Sequence, residues 1–394
     1  MKQTKTILNC DTLVAGGGIA GIAAALASAR AGAKTLLVEK ECVLGGLGTL
    51  GLVTIYLPLC DGKGTQVIYG IGEELLRLSI RRGCQGRYPA AWLEGGTLEE
   101  KCRNRFQAQY NPHLFAIDVE KLLLDAGVSI LYDTRIVGTE EQDGFIREVQ
   151  AYNKGGETVI FPKMLVDATG DADLCRMSGA PTAVHEGGNP LAAWYYFCGK
   201  DGLRLKMLGA ADIPGQETQS LTKRRYSGLD GQENSEMIVH SHQQILADVL
   251  HAREDDPSLE PVTIPGILQI RMTSRLDGAY TLDEAEDHAS FADSIGMTGD
   301  WRKRGPVFEI PYGCLQNAAK AKNLLTAGRC ISVTDDMWDI TRVIPTCAVT
   351  GEAAGTAAAL AAALPTPDLN FLSVDRVQEA LRKRGVRLHL NEIL

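Results

Sequence analysis

The apolar positions near the N-terminus change rhythm twice. Thr12-Leu13-Val14-Ala15 is a short apolar run, Gly16-Gly17-Gly18 breaks it, and residues 19–31 have helix-forming composition up to Gly32. Residues 34–38 are a second apolar run, which stops at Glu39. Run, glycine break, helix and run predict a β-α-β unit with parallel strands. The stretch 47–112 is irregular apart from a predicted helix over 73–82. An amphipathic helix is predicted over 118–126 and a buried strand over 128–132. Turn signals at Gln142-Asp143-Gly144 and Lys154-Gly155-Gly156 divide 135–161 into a β-meander, and 164–168 reads as one more strand, stopped by Thr169-Gly170-Asp171.

From about 180 to 320 the composition shifts toward Pro, Gly, Trp and Tyr, with a polar stretch over 215–235. A returning strand at 324–327 and a last large helix over 346–364 follow. The fold class is therefore α/β: a discontinuous Rossmann-like domain over 1–180 and 321–394, parallel sheet plus meander, with an inserted α+β substrate or cap domain over 181–320. Substrate is expected between the two, where domain junctions favour pockets.

Composition narrows the class. The 394 residues are 45% hydrophobic and 23% charged, ordinary for a globular chain. A net charge of −9 argues against nucleic acid as the main partner, and the basic clusters at 81–82, 223–225, 302–304 and 382–384 read as solvated surface. None of the ten cysteines forms a Cys-x-x-Cys pair, which fits reduced thiols in a cytoplasmic protein better than disulfides, metal or iron–sulfur ligands. Segment 344–364 is long enough to span a bilayer, but Glu352, three threonines and two glycines make a packed helix the better reading. The expected partner is a small-molecule substrate, with neither nucleic acid nor membrane; homo-oligomerisation stays open.

Gly16, Gly18 and Gly21 have the Gly-x-Gly-x-x-Gly spacing. The first allows the tight strand-to-helix turn, the second lets a pyrophosphate reach the backbone, and the third lets helix and strand pack closely. Helix amides from Ile19 and Ala20 onward then face the phosphates. Glu39, ending the second strand, would accept hydrogen bonds from a ribose. A second such spacing, Gly46 to Gly51 and including Thr49, lacks its own strand-helix-strand unit and is read as wrapping the same cofactor.

These residues carry a resemblance. The stretch 11–21, Glu39 and Gly45-Gly46 resemble the two-dinucleotide-binding-domain flavoproteins of the glutathione reductase type, and Val166-Asp167-Ala168-Thr169-Gly170-Asp171 looks like their Ala-Thr-Gly strand end. The motifs at 271–278, 310–315, 327–332, 341–347 and 351–355 resemble the narrower bacterial FAD-dependent oxidoreductase family, so the likeness covers nearly the whole chain. It departs at Gly313, where Arg is expected, and near Asp335, where His is frequent. The resemblance implies FAD, held by the residues above with Lys40, Ile136, Val137, Ala168, Thr169, Gly170, Gly328, Arg329, Pro345, Thr346 and Cys347. Pro345 suits a first helical turn, whose amides would favour negative charge at the flavin.

For substrate chemistry the candidates are Arg342, Arg271, Asp335 and Tyr312, with Arg275, Asp336 and the pair His185-Glu186 behind them. Arginines clamp anions, and acids or His beside the ring take a proton as hydride leaves. Against this, His185-Glu186 also reads as a polar loop, Arg271 and Arg275 as structural ion pairs, and Asp335-Asp336 as groups holding loop amides. Arg342 either reaches the pocket or pairs with Asp335, Asp336 or Asp339. Cys60, Cys314, Cys330 and Cys347 read as buried small side chains. The expected activity is hydride transfer between a small organic substrate and FAD. A thiamine thiazole synthase-like enzyme, a flavin-bearing electron-transfer subunit and a flavin monooxygenase are the rivals.

Overall fold

The computed structural model describes residues 5–209 and 221–393, so residues 215–220 of the polar stretch lie outside the described residues. Strand β1 (Thr6–Ala15) extends well before its apolar run, but only its last four residues are uniformly buried. Helix α1 (Ile19–Arg30) and strand β2 (Thr35–Val38) follow, and β2 lies parallel to β1 from Thr12↔Thr35 to Ala15↔Val38. Helix α2 (Gly70–Ile80) begins ahead of the expected 73. Helix α3 (Pro112–Asp125) begins ahead of 118, because the Asn111 side chain accepts from the His113 and Leu114 N–H groups and Pro112 fills the first turn.

Strand β3 (Ser129–Leu131) joins β2 in parallel, and the meander follows as β4 (Arg135–Gln142), β5 (Phe145–Asn153) and β6 (Gly156–Asp167). The residues read as the end of the meander and as a separate strand at 164–168 form one strand. β6 runs parallel to β1 along one edge, while its other edge takes β5 first and a later strand afterward. Pro162 falls between those two partners, where a missing N–H costs no ladder bond on that edge.

Residues 46–53 and 184–273 form a compact unit of their own, of α+β composition. There β7 (Ala193–Gly199) pairs antiparallel with β8 (Gly202–Leu208), and helix α4 (Gly231–Asp255) packs Ile245 and Val249 against Ala193 and Tyr195. Strand β9 (Glu260–Thr263) takes the other edge of β7.

Residues 274–320, assigned by composition to the insertion, belong instead to the first unit. Their hairpin, β10 (Ser294–Gly299) and β11 (Val307–Pro311), is buried throughout. Ser294 Oγ donates to Leu388 O at 2.6 Å, and the Thr298 and Thr346 hydroxyls bond at 2.7 Å. Strand β12 (Leu324–Thr326) then joins β6 in parallel as the seventh strand of a sheet whose other six run in the order β3-β2-β1-β6-β5-β4. Two helices follow: α5 (Asp335–Thr341), in a stretch read as loop, and α6 (Ile344–Ala362).

α6 is buried at every position except Leu360, and among the described residues no single helix is long and apolar enough to cross a membrane. Its small residues bring it against α1. A Cβ at Gly351 would lie 2.2 Å from Ala20 O, and one at Gly355 would lie 2.0 Å from Ala24 O. These i,i+4 positions let the two helix backbones touch.

Glu352, on the same helix, accepts the Ile71 N–H at 2.8 Å and so caps α2, whose own N-cap residue offers no side-chain bond. Burial raises its pKa to about 7, against opposing effects from that N–H and Arg384. The folded value lies above the unfolded one. The stability gained by burying the neutral carboxyl is therefore full below about pH 4.5 and is lost as pH rises through 7, about 3 kcal/mol in all. Glu352→Gln keeps an acceptor for Ile71 but cannot ionise. Thermal melts across pH 5 to 8 are expected to show a flatter pH slope in the variant than in the wild type; parallel slopes would refute the assignment.

Candidate cofactor-binding site

The site is built where β1, β6 and β12 end. Gly16 has φ +94°, and a Cβ there would lie 2.6 Å from Ala168 O, so the turn admits only glycine. A Cβ at Gly21 would lie 1.8 Å from Gly16 O, which forces the first turn of α1 onto its own strand. A Cβ at Gly18 would meet nothing within 4 Å. The backbone is thus open at the one glycine of the motif that a pyrophosphate must approach. No side chain caps α1, leaving its first amides, including those of Ala20 and Gly21, to an anion.

Glu39 is only 7% exposed. Its Oε2 accepts the Gly17 N–H at 2.5 Å and its Oε1 accepts the Glu41 N–H at 2.9 Å, while burial outweighs both and raises its pKa. The carboxylate therefore fixes the glycine turn, and each oxygen keeps a lone pair for a ribose hydroxyl. Gly45 N–H donates to Gly17 O at 2.8 Å, bringing the Gly45 turn to the motif. Lys40 is exposed. The chain returns to Glu39 through Thr134, whose N–H donates to Glu39 O at 3.1 Å. Ile136 and Val137 follow at the start of β4, Ile136 packed on the core and Val137 exposed. Gly46 and Thr49 lie in the second unit, where Thr49 N–H donates to Gly46 O.

At the end of β6, buried Asp167 accepts both the N–H and hydroxyl of Thr169 on Oδ1, and the Cys175 N–H on Oδ2. Arg329 ties this end to the next loop, donating to Gly170 O at 2.8 Å and to Asp171 Oδ1 at 2.6 Å. Gly328 is the meeting point. It has φ +76°, and a Cβ there would lie 2.6 Å from Ala20 Cβ and 3.5 Å from Cys347 Sγ. Its N–H donates to Thr350 Oγ1 at 2.9 Å. The first turns of α1 and α6 therefore converge on one glycine. α6 opens with Pro345 in its first turn and no side-chain cap. An open backbone beside Gly18 and two uncapped helix N-termini fit FAD.

The candidates for substrate chemistry scatter. Asp335 and Asp336 are exposed in the first turn of α5, where acids suit the helix dipole. Arg342 ends α5 rather than lying on a free loop; its Nε donates to Asp339 Oδ1 at 3.0 Å and Nη2 contacts the same oxygen. Arg275 lies 5.7 Å over the buried Trp338 ring. Tyr312 is buried, and its hydroxyl has no hydrogen-bond partner among the described residues. Arg271 lies in the second unit, where its N–H donates to Asn189 Oδ1. His185 is there too, its ring bonded within its own turn to Gly188 O, the geometry of a polar loop.

Arg302 is 6% exposed and pairs with Asp300, Glu284 and Asp339, so it is not solvated. Thr350, Asp167 and Asp339 were missed as site residues. Thr350 stands one helical turn after Thr346, a spacing that could have found it. Burial pushes the Cys347 thiol up to about 12 and raises Cys60, Cys314 and Cys330, so these thiols stay protonated.

The profile of the family described as "FAD dependent oxidoreductase" matches residues 11–193 and 210–381. Aklavinone 12-hydroxylase DnrF of Streptomyces peucetius subsp. caesius is 27% identical over 190 residues, 43% of this chain, and the match spans only 37% of that protein. Among solved structures, p-nitrophenol 4-monooxygenase PnpA from Pseudomonas putida DLL-E4 is 11% identical at a TM-score of 0.49, covering 96% of this chain and 84% of that one. A geranylgeranyl bacteriochlorophyll reductase-like protein from Thermoplasma acidophilum is 14% identical at 0.45, covering 96% and 83%. With that family profile spanning most of its length, the chain belongs to the FAD-dependent oxidoreductase family.

Proposed function

We propose that the protein transfers a hydride between a small organic substrate and FAD. The observation that carries this reading is the convergence of α1 and α6, both uncapped, on Gly328. Bound FAD supplies the two-electron carrier. Gly16 to Gly21 and Glu39 hold its dinucleotide portion. The first turn of α6, at Pro345, Thr346 and Cys347, offers the positive end of a helix to charge that develops on a reduced ring. Thr346 is fixed there by Thr298, and Cys347 Sγ by Arg342 O. We also assign the sheet to the glutathione reductase type, on the glycine turn, Glu39 and the β4–β6 meander.

Arg342 is a positioning residue in this reading. Its bond to Asp339 fixes the elbow between α5 and α6, which bend by 91°. Arg342→Lys keeps the charge but loses the two-point contact. FAD content and melting temperature are expected to fall together, with about 1–2 kcal/mol lost. A fall in kcat/KM at unchanged FAD content and melting temperature would make Arg342 a substrate clamp instead.

The test is anaerobic. A panel of small alcohols, amines and acids is added to the purified protein, and bleaching of the visible flavin band identifies a hydride donor. The 27% identity to a hydroxylase favours a second reading, oxygen insertion. It requires that no substrate bleach the flavin without oxygen, and that substrate stimulate oxygen consumption once a nicotinamide reductant is supplied.

A further inference from the structure

Lys63, Arg105 and Arg304 converge where two glycine turns meet. A Cβ at Gly62 would lie 2.8 Å from Arg304 Cγ and 3.5 Å from Arg105 Nε, and one at Gly305 would lie 2.8 Å from Lys63 Nζ. The turns are bonded together, Gly305 N–H donating to Asp61 O at 2.8 Å. Asp61 Oδ1 accepts the Lys63 and Thr65 N–H groups, Asp300 and Glu284 pair with Arg302, and Glu284 also pairs with Lys303.

Arg105 is half-buried, and its Nη1 donates to a neutral carbonyl, Trp301 O, at 2.6 Å. None of Lys63, Arg105 and Arg304 has a carboxylate partner among the described residues. In a chain of net charge −9, three neighbouring cations outside ion pairs stand out. Burial is the main cause lowering the pKa of Arg105; Arg304 acts in the same direction, while Cys60 and Asp300 oppose it. Holding a half-buried guanidinium beside a second one costs free energy that a bound anion would offset.

The loop carrying Arg304 is anchored to the flavin end of the fold. Thr298 bonds Thr346 in the first turn of α6, and Trp301 Nε1 donates to Asp339 O at 2.9 Å. A Cβ at Gly299 would lie 3.0 Å from Cys60 O, so the two loops bearing the cluster are in contact. We propose that Lys63, Arg105 and Arg304 form a subsite for an oxyanion, carboxylate or phosphate, carried by the substrate. The inference rests on the FAD-dependent reading above and narrows it to acidic substrates.

Calorimetric titration of the purified holoprotein with inorganic phosphate, benzoate and neutral benzamide tests it. One of the anions is expected to bind at least about tenfold more tightly than benzamide, equivalent to 1.4 kcal/mol. Benzoate above phosphate assigns a carboxylate, and the reverse order a phosphate. That preference is expected to vanish in Arg105→Gln and in Arg304→Gln, the latter at an exposed side chain whose loss leaves the fold intact. Arg103→Gln, removing an exposed arginine paired with Glu99, is expected to keep it. Equal binding of anions and benzamide, no binding by either anion, or retained preference in both cluster variants would overturn the proposal. So would loss of FAD from both variants, since the cluster would then serve the cofactor. A wild-type protein without FAD would sink the functional reading instead, and the anion preference would still be measurable.

Discussion

Gly351→Val is expected to unfold the protein or leave it colourless. A single Cβ at this position would lie 2.2 Å from the Ala20 carbonyl oxygen, an atom of the α1 backbone that no side-chain rotation can move. The branched side chain adds two further methyl groups at the same contact, so the helices must separate. Overpacking of a core costs about 1–3 kcal/mol and occasionally more; a clash with backbone on both sides belongs at or above the top of that range. Separation also moves Ala20 and Cys347 away from Gly328, where the proposed cofactor site converges. Melting temperature and visible flavin absorbance are therefore expected to fall together. A valine variant that melts near wild type and remains yellow would show that α1 and α6 do not meet at Gly351.

Glu39→Gln is expected to weaken FAD binding by one to two orders of magnitude while the protein stays folded. The glutamine keeps the shape of the side chain, but one oxygen becomes an NH2 group. Both carboxylate oxygens of Glu39 receive backbone N–H groups, from Gly17 and Glu41, so a donor must now face a donor. Losing a hydrogen bond to a charged group costs about 1.5–3 kcal/mol, and tenfold in affinity corresponds to about 1.4 kcal/mol. The glycine turn and the ribose are left to share a single neutral acceptor. Equilibrium titration of the stripped variant with FAD measures the effect. Unchanged affinity would mean that Glu39 serves neither the turn nor the ribose.

The part of the site legible in the sequence is the part whose physics is local. Gly16 needs a positive φ, Gly21 needs contact with its own strand, and Glu39 ends the next strand. These requirements arise within one β-α-β unit, although Ala168 O, just past the end of β6, also crowds Gly16. The long strand β6 was read as two because its continuity depends on partners from three separate places in the chain: β1, β5 and β12. α5 was missed because seven residues with three acids show no helical apolar period; it is held by burial of Met337, Trp338 and Ile340. Residues 274–320 look like the insertion in composition, yet Thr298 and Ser294 bond to Thr346 and Leu388 at the far end of the chain. The burial of Arg302 was equally hidden, since Glu284 and Asp339 approach it only in the folded chain. Contacts between distant segments leave no period to read.

The most direct test of the central claim is the identity and amount of the dinucleotide in the purified protein. Heat release followed by chromatography and visible spectroscopy measures both, and titration of the stripped protein with FAD and with NAD compares the two ligands. A cradle made of the open Gly18 backbone, Glu39 and the two helix ends at Gly328 is expected to give a yellow protein with one FAD per chain and no tight NAD binding. A colourless protein that takes up NAD tightly and leaves added FAD in solution would contradict it.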